Sequence, residues 1–347
     1  MKNNFLKKIM VSIMVCVLVL PLFACGNSQE TDDTDSSGSS DEVYELKFAH
    51  VVRPTTPKGL AAEKFKELAE EKSDGQLKVT IYPDSQMGAD QEINEQVLEG
   101  TLDMNAPFLS TVTSFAPEFE LFDLPYLFEN PDQAFEALSG EVGEKLNGYL
   151  EDKNLKALGY WSGGFKQLTN SKRPVENVKD LDGLKIRVSQ SPLLVTQFKA
   201  INAGGISVPF VDLYSSLQTG TVDGQENPYA NIASRKFYEV QDYMTISDHG
   251  FMGYIFFINN DKFESLPEEL QEIVEEVAEE VMKEQWEIAE EKDEEYLEEI
   301  EESGIEITEF GSEEKKDFRE ATQEAYDEFL EQDDAEELMK LVEKYTK

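Results

Sequence analysis

The sequence predicts an α/β protein of two lobes, and three observations support this fold class. Residues 183–228 read in order as strand, helix, strand, helix and strand, which is typical of an open α/β sheet. Two similar tetrapeptides each follow a predicted helix: Gly100-Thr101-Leu102-Asp103 and Gly220-Thr221-Val222-Asp223. Two lobes built on one plan would produce such a repeat. A chance match of four positions is the alternative. The length of 347 residues is sufficient for two lobes with separate hydrophobic cores.

The N-terminal residues have the pattern of a bacterial targeting segment. Lysines near the start precede an apolar run at 9–20, which is too short for a comfortable membrane span. The run ends in Leu-Phe-Ala-Cys-Gly, which matches a lipoprotein signal whose cysteine becomes the lipidated N-terminus. We therefore expect residues 1–25 to be a lipoprotein signal peptide with Cys25 as the lipidation site. An ordinary apolar cysteine near a signal peptide is the alternative.

Residues 26–42 are predicted to form a disordered tether. From Asn27 onward this stretch contains no large apolar residue and many small polar or acidic ones, so it cannot bury enough surface to fold. A lipid anchor followed by a flexible tether suits a receptor that must meet a partner in the membrane. The folded part is therefore expected to lie outside the cytoplasm, anchored to the outer face of the cell membrane.

The folded part begins with alternating strand and helix patterns. Residues 44–50 and 77–82 are predicted strands, and residues 60–72 and 90–99 are predicted helices with apolar residues on one face. Later in the chain, residues 155–161 and the apolar run at 254–259 are predicted strands, and the latter suits the buried centre of a sheet.

The longest helical pattern runs from residue 270 to 302. Its apolar residues recur at three- and four-residue spacing, and an unbroken helix would be about 50 Å long at 1.5 Å per residue. Such a helix is too long for one lobe. A coiled-coil arm is the alternative, but the apolar stripe lacks clean heptads.

Two polar residues in the strand–helix alternation mark a candidate binding site. Leu184, Ile186 and Val188 alternate with polar residues, so Arg187 points away from the apolar face of its strand. Asn227 is held extended because Pro228 follows it. Ligands of open α/β sheets collect at the carboxyl ends of the strands, where both residues are expected. The alternative for Arg187 is a solvated or ion-paired side chain.

Composition and motifs favour a binding protein over an enzyme. The chain has 31 Lys and Arg against 72 Asp and Glu, a net charge of −41, which argues against nucleic-acid binding. The acid excess indicates a solvated surface, and a saline or alkaline habitat is a further explanation. His50 and His249, the only histidines, lack metal-ligand spacing, and motifs for nucleophilic catalysis, phosphate loops and dinucleotide binding are absent. No enzymatic activity, metal or cofactor is therefore expected.

Three segments resemble the solute-binding receptors of tripartite ATP-independent periplasmic (TRAP) transporters, the DctP-like family. They are KIRVSQS at 185–191, VPFVDLY at 208–214 and SLQTGTVDGQENP at 216–228. The similarity extends from about Tyr44 to the C-terminus. It implies a two-lobe, periplasmic-binding-protein-like (type II) fold with a long helix spanning both lobes. The implied boundaries are residues 43–163 and 253–292 for lobe I, and 164–252 and 293–347 for lobe II.

The resemblance also implies roles for individual residues. Arg187 matches the carboxylate clamp of the family, and Phe108 stands where sialic-acid receptors have a glutamate, which argues against sialic acid. Many relatives have arginine where this chain has Lys166, so a second charge is implied there with a weaker match. The ligand-binding residues implied in this way are Arg187, Asn227, Lys166, Phe210, Trp161, Gln190 and His50.

The implied function is capture of a small organic acid between two lobes that close about hinge strands near Gly163 and Phe251. The ligand would be a carboxylate such as a C4-dicarboxylate or a sugar acid, delivered by a monomeric receptor to the integral-membrane subunits of a TRAP permease. A lipoprotein that senses ligand for a signalling kinase is one alternative. A structural or adhesive surface lipoprotein is an alternative of another class.

Overall fold

The computed structural model describes residues 42–347, in which two β-sheets lie in one compact unit. The predictions of a signal peptide at 1–25, of lipidation at Cys25 and of a tether at 26–42 concern residues that lie, except for Glu42, outside the described part. Within residues 42–347, no helix is long and apolar enough to cross a membrane.

The described residues form eleven strands and twelve α-helices. The strands are β1 Tyr44–Ala49, β2 Leu77–Tyr82, β3 Met104–Asn105, β4 Leu155–Phe165, β5 Gln167–Asn170, β6 Lys185–Val188, β7 Gly204–Ser207, β8 Gly224–Asn227, β9 Tyr243–Ile246, β10 Phe251–Asn259 and β11 Glu306–Glu309. The helices are α1 Pro57–Lys72, α2 Asp90–Leu98, α3 Pro131–Ser139, α4 Glu141–Glu151, α5 Pro192–Ala200, α6 Leu213–Gln218, α7 Tyr229–Ser234, α8 Asn260–Glu264, α9 Glu268–Glu302, α10 Ser312–Ala321, α11 Gln323–Phe329 and α12 Ala335–Val342.

The two sheets have different strands but a related plan. The first has the order β2, β1, β3, β10, β4, and the second has the order β11, β9, β5, β8, β6, β7. In the first, β1 pairs in parallel with β2 and β3; in the second, β6 pairs in parallel with β7 and β8. Every residue of β10 is buried, as its apolar sequence predicted, because β3 and β4 flank it on both sides. These features confirm the predicted α/β fold class.

The repeated tetrapeptides adopt the same local structure in both sheets. Gly100 and Gly220 end their helices with positive φ angles of 73° and 69°. The following aspartates then join neighbouring strands in the same way. The backbone N–H of Lys47 donates to the Asp103 carboxylate over 2.7 Å, and that of Lys185 donates to the Asp223 carboxylate over 3.0 Å. The sequence similarity therefore reflects one supersecondary unit used twice.

The third strand of the 183–228 alternation begins later than the sequence indicated. Residues 222–224 were expected to form it, but β8 runs from Gly224 to Asn227. Asp223 precedes the strand because its backbone N–H and carboxylate both bond to Lys185. The later start places Asn227 at the last position of the strand.

Helix α9 is unbroken over 35 residues, packs on β4 of the first sheet and contributes Ile300 to the apolar cluster that includes Met244 of β9 in the second sheet. Near its middle, the Gln285 side chain exchanges two hydrogen bonds with the backbone of Ser162 in β4, at 2.7 and 2.6 Å. The next residue, Trp286, donates from its indole to the backbone oxygen of Tyr160 over 2.8 Å. Helix α7, which follows β8 of the second sheet, packs on the same helix. The predicted helix that spans both lobes is confirmed.

The chain passes between the sheets near Phe165 and again between Ile246 and Phe251. The predicted hinge strands near Gly163 and Phe251 coincide with these crossings, and their motion stays a prediction. The C-terminal helices pack on helices from both sheets. Helix α11 contacts α5, which follows β6 of the second sheet, and α12 contacts α4, which precedes β4 of the first sheet. The exact lobe boundaries likewise stay a prediction.

Gly224 is expected to tolerate no side chain, because β8 lies very close to β5. A Cβ atom at this position would lie 2.2 Å from the backbone oxygen of Thr169. We expect Gly224→Ala to lower the free energy of unfolding by about 1–3 kcal/mol through forced backbone shifts. The matched control is Gly148→Ala in α4, where a Cβ meets no atom within 4 Å. The control should raise stability by about 0.5–1 kcal/mol.

Urea denaturation of the wild type and both variants measures this difference. Equal midpoints for Gly224→Ala and Gly148→Ala would contradict the close approach of the two strands.

Candidate functional site

A narrow cavity lies between the sheets, where the carboxyl ends of β1, β6 and β8 meet. Its volume is only about 20 Å³, so the two walls almost touch. This is the edge at which open α/β sheets bind ligands. The apolar part of the wall consists of Val51, Val52, Phe108, Phe210 and Met252.

Arg187 is buried in this cavity, with 3% of its surface exposed. Ile186 and Val188 point into the core on either side of it, which turns the arginine toward the cleft. Its Nε atom donates a hydrogen bond to the backbone oxygen of Val208 over 2.8 Å. No carboxylate among residues 42–347 lies within 4 Å of the guanidinium. The terminal amino groups of Arg187 donate no hydrogen bond to any of residues 42–347.

The charge of Arg187 persists despite burial. Burial lowers the pKa of Arg187 to about 10, against the opposing influence of Glu226 and Asp90. The guanidinium therefore stays protonated at neutral pH, with two amino groups free to meet an anion.

Lys58 is a second buried cation of the same cavity, and the sequence analysis did not single it out. It is the second residue of α1, and its Nζ donates to the backbone oxygen of Ala106 over 2.9 Å. The same nitrogen lies 4.0 Å from the centre of the Tyr254 ring. Burial lowers the pKa of Lys58 to about 8, and Asp90 opposes this shift. One signal was available, since a lysine in the first turn of a helix is unfavourable to the helix dipole.

Asp90, the first residue of α2, also lines the cavity and was not predicted. Its side chain is buried, and burial raises its pKa above the ordinary value, although Lys58 and Arg187 oppose the shift. Neither of these cations lies within 4 Å of its carboxylate. The cavity thus contains two cations and one acidic group.

Asn227 and Phe210 line the cavity as the sequence analysis expected. The amide of Asn227 is held by its neighbours: its Nδ2 donates to Gln225 Oε1, and its Oδ1 accepts from Asn231 Nδ2 over 2.8 Å. Phe210 lies beneath the guanidinium of Arg235, 5.2 Å from the ring centre. Both predicted residues are therefore fixed in orientation at the wall of the cavity.

Trp161, His50 and Gln190 lie outside the cavity wall. Trp161 is fully buried in the first lobe and stacks on Phe256, with ring centres 4.7 Å apart. His50 is also buried, and burial together with Lys58 lowers its pKa to about 3, so it is neutral. Gln190 lies at the rim, where its Nε2 donates to Gln91 Oε1 of α2 over 2.7 Å.

Lys166 lies behind the cavity wall in a buried ion pair. Its Nζ is 2.7 Å from the Glu226 carboxylate, and both side chains are 1% exposed. The ring of His249 contacts the same carboxylate at 2.9 Å. Burial alone would raise the pKa of Glu226, but Lys166 and His249 lower it to about 2. Phe108 stands near this pair, with its ring centre 5.9 Å from the Lys166 nitrogen.

Side chains at the rim join the two lobes. Arg235 Nη2 bonds to the Asp84 carboxylate and to the backbone oxygen of Val51, each at 2.7 Å. Together with the contact between Gln91 and Gln190, this ion pair spans the cleft. The structure is therefore a closed form of the cleft.

Larger cavities exist elsewhere in the described residues. One of about 340 Å³ lies along α9 near Trp286, one of about 580 Å³ lies beside α10 near Lys315, and one of about 380 Å³ lies at the rim near Gln190. Lys315 is already paired with Asp248 at 2.8 Å. None of these three cavities contains a buried unpaired cation, so the narrow cavity is the better candidate site despite its size.

Comparisons with known proteins find similarity to bacterial solute-binding proteins. The family model described as DctP, bacterial extracellular solute-binding protein, family 7, matches residues 48–333. The C4-dicarboxylate-binding protein DctB of Bacillus subtilis is 35% identical over 294 residues, which is 84% of each chain.

Solved structures give the same result. A TRAP periplasmic solute-binding protein from Sulfurospirillum deleyianum with bound succinate has a TM-score of 0.83 and 36% identity, covering 87% of this chain and 99% of its own. The sugar acid binding protein DctPAm from Advenella mimigardefordensis, in complex with galactonate, has a TM-score of 0.85 and 30% identity, covering 88% and 99%.

The ion pair of Lys166 and Glu226 is expected to be essential to stability. Lys166→Met leaves the Glu226 carboxylate buried without its cation, which should cost about 3–5 kcal/mol of unfolding free energy at pH 7. The control is Lys172→Met, which removes the more exposed partner of Asp223 at 3.3 Å and should cost less than about 1 kcal/mol.

The loss should depend on pH. Because the pKa of Glu226 is depressed, its stabilisation is complete above its ordinary value of 4.5 and is lost as the pH falls toward 2. The stability difference between wild type and Lys166→Met should therefore shrink over this range in chemical denaturation. A difference that stays constant from pH 5 to pH 2 would contradict the assignment.

Proposed function

This chain belongs to family 7 of the bacterial extracellular solute-binding proteins, the DctP family, and we propose that its solute is a small dicarboxylate held between Arg187 and Lys58. The similarity to TRAP receptors expected from the sequence is confirmed, and so is the general function of a carboxylate receptor. The identity of the ligand and the residues that bind it are proposals.

The observation that carries the proposal is the unpaired state of Arg187. A guanidinium that is buried, charged and without a carboxylate partner within 4 Å is costly unless an anion completes it. Its two terminal amino groups match the two oxygens of a carboxylate, so they can form a bidentate pair. We assign the first carboxylate of the ligand to Arg187.

The second carboxylate is assigned to Lys58. Its ammonium group is the other buried cation of the cavity and donates to one backbone oxygen, which leaves further protons for a ligand. The two buried cations that line the cavity favour an acid with two carboxylates over a sugar acid with one, although one similar structure contains galactonate. Another contains succinate, and the Bacillus subtilis relative is named for C4-dicarboxylates.

The other predicted site residues divide into two groups. We propose that Asn227 donates its amide to the ligand and that Phe210 provides an apolar wall, since both line the cavity. We propose supporting roles for the rest: Lys166 pairs with Glu226 behind Phe108, Gln190 closes the rim, and Trp161 and His50 support the wall from the core of the first lobe.

The biological setting follows from the family. Its members are extracytoplasmic solute-binding receptors, and the absence of catalysis in this chain stays a prediction. We propose that the closed receptor delivers its ligand to the membrane subunits of a TRAP permease. We also propose that Cys25 carries the lipid anchor and that residues 26–42 form the tether.

Calorimetric titration with succinate tests the ligand assignment. Arg187→Ala should weaken binding by about 2–5 kcal/mol, because it leaves a desolvated carboxylate unpaired. Arg187→Lys should also lose affinity, since it keeps the charge but not the planar fork. Lys58→Met should weaken succinate binding more than binding of its monoamide, succinamate.

The matched control is Lys185→Ala, which removes an exposed cation from the same strand and should leave affinity unchanged. If Arg187→Ala binds within about threefold of wild type, a difference below about 0.7 kcal/mol, Arg187 is structural and the proposal fails.

Lipid anchoring has its own test. Wild-type protein expressed in a bacterium that processes lipoproteins should enter the detergent phase of a two-phase extraction, and Cys25→Ala should remain in the aqueous phase. Recovery of the wild type from the aqueous phase would refute the anchor and leave the ligand assignment untouched.

A further inference from the structure

The charged side chains that line the interlobe cavity do not sum to zero, and a bound dicarboxylate would change this sum. Among residues 42–347, Asp90 is the only acidic side chain that lines it, beside the cations Lys58 and Arg187. The cavity therefore has a net charge of +1 when Asp90 is ionised and +2 when Asp90 is protonated. No cation of the described residues lies within 4 Å of the Asp90 carboxylate, so no ion pair fixes it in the ionised form.

The neighbouring titratable groups have one protonation state near neutral pH. Burial raises the pKa of Tyr254 on β10, and burial together with Lys58 lowers the pKa of His50 after β1 to about 3, so both are neutral. Glu226 on β8 is ionised, and its charge is matched by Lys166.

Behind the cavity wall, burial raises the pKa of Asp123 to about 6, and Lys166 opposes this shift; Asp123 lies outside the cavity lining. The side chain of Glu92, on the same helix as Asp90, accepts from the backbone N–H of Ala89 over 3.0 Å and lies outside the cavity lining. Arg187 stays charged, with its pKa lowered by burial only to about 10. Burial lowers the pKa of Lys58 only to about 8, so its side chain is mostly charged below pH 7. Among the described residues that line the cavity, Asp90 is thus the group whose protonation can change the net charge near neutral pH.

A bound dianion makes the ionised form of Asp90 unfavourable. Two ligand carboxylates and an ionised Asp90 would exceed the two cations by one negative charge in a closed, desolvated cavity. Like charges that share such a site do not all stay ionised, and one of them takes a proton. A protonated carboxyl group also becomes a hydrogen-bond donor, which can bond to an oxygen of the ligand.

We propose that Asp90 takes up one proton from solvent when the cleft closes on a dicarboxylate, so that ligand binding is coupled to protonation. This inference rests on the proposed dicarboxylate ligand and assigns the residue that balances its second charge. Burial already raises the pKa of Asp90 in the empty cavity, which agrees in direction with the proposal. A monocarboxylate leaves the cavity neutral with Asp90 ionised, so it should bind without a proton.

Proton uptake is measured by titrating succinate into the full chain in buffers of different ionisation enthalpy. The slope of observed enthalpy against buffer enthalpy gives the number of protons bound. At intervals between pH 5.5 and 7, where Lys58 stays charged, the slope is corrected for the protons that free succinate releases when it binds as a dianion. The corrected slope for wild type should approach one proton at its maximum. Asp90→Asn, which has the same shape and no titrating group, should give a corrected slope near zero throughout.

The affinities should follow the same pattern. Where wild-type uptake is near one proton, its affinity for the succinate dianion should fall about tenfold for each unit of rising pH, and Asp90→Asn should show no such slope. Succinamate, which has the length of succinate and a single negative charge, should bind wild type without proton uptake. Glu92→Gln is the matched control on α2 and should behave as wild type.

The location of the proton is resolved by nuclear magnetic resonance of succinate labelled with ¹³C at its carboxyl carbons. Both carboxyl signals of the bound ligand should have the shift of ionised carboxylates. A signal at the position of a protonated acid would place the proton on the ligand and overturn the assignment to Asp90.

The outcomes separate this inference from the proposed function. If wild type binds succinate with no more proton uptake than Asp90→Asn at any pH, the coupling is wrong and the dicarboxylate proposal stands. If wild type binds succinamate but no dicarboxylate, the proposed function fails and the coupling fails with it.

Discussion

The buried positive charge of Arg187 is the constraint on which the cleft depends. A guanidinium removed from water is tolerated only where opposite charges and hydrogen bonds offset the lost hydration. Here the protein supplies one backbone acceptor, from Val208, and the more distant charges of Asp90 and Glu226. The terminal amino groups donate no hydrogen bond within residues 42–347, so the carboxylate of the proposed ligand would supply the partner that the guanidinium lacks.

The buried cations Lys166 and Arg187 differ in whether the fold supplies a carboxylate partner. Lys166 has a carboxylate at 2.7 Å, which satisfies its charge within the fold, near the point where the chain crosses between the sheets. Arg187 has no carboxylate within 4 Å among the described residues. Within the described residues, Glu226 thus matches the charge of Lys166 near the point where the chain crosses between the sheets. The charge of Arg187 has no such carboxylate partner in the cleft between the two lobes.

The acidic surface and the cationic cleft act over different distances. The net charge of −41 repels anions from afar, but salt screens exposed charges beyond about 10 Å at ordinary ionic strength. Helix α9 carries much of the acid on its exposed face, while its apolar face is buried against α1 and β4. Attraction of the ligand is left to the desolvated cations inside the cleft, where screening is weak.

The sequence by itself determined the α/β class, the helix across both lobes, the repeated unit at Gly100 and Gly220, and the position of Arg187 at a strand end. These features depend on neighbours along the chain, such as apolar spacing, glycine stops and strand alternation. Only the tertiary structure decided that Lys58 and Asp90 join Arg187 in the cavity and that Lys166 is paired behind it. The physical reason is that a buried charge is matched or left open by groups that arrive from other strands and helices. The sequence pattern around a charged residue does not show which groups will pack against it.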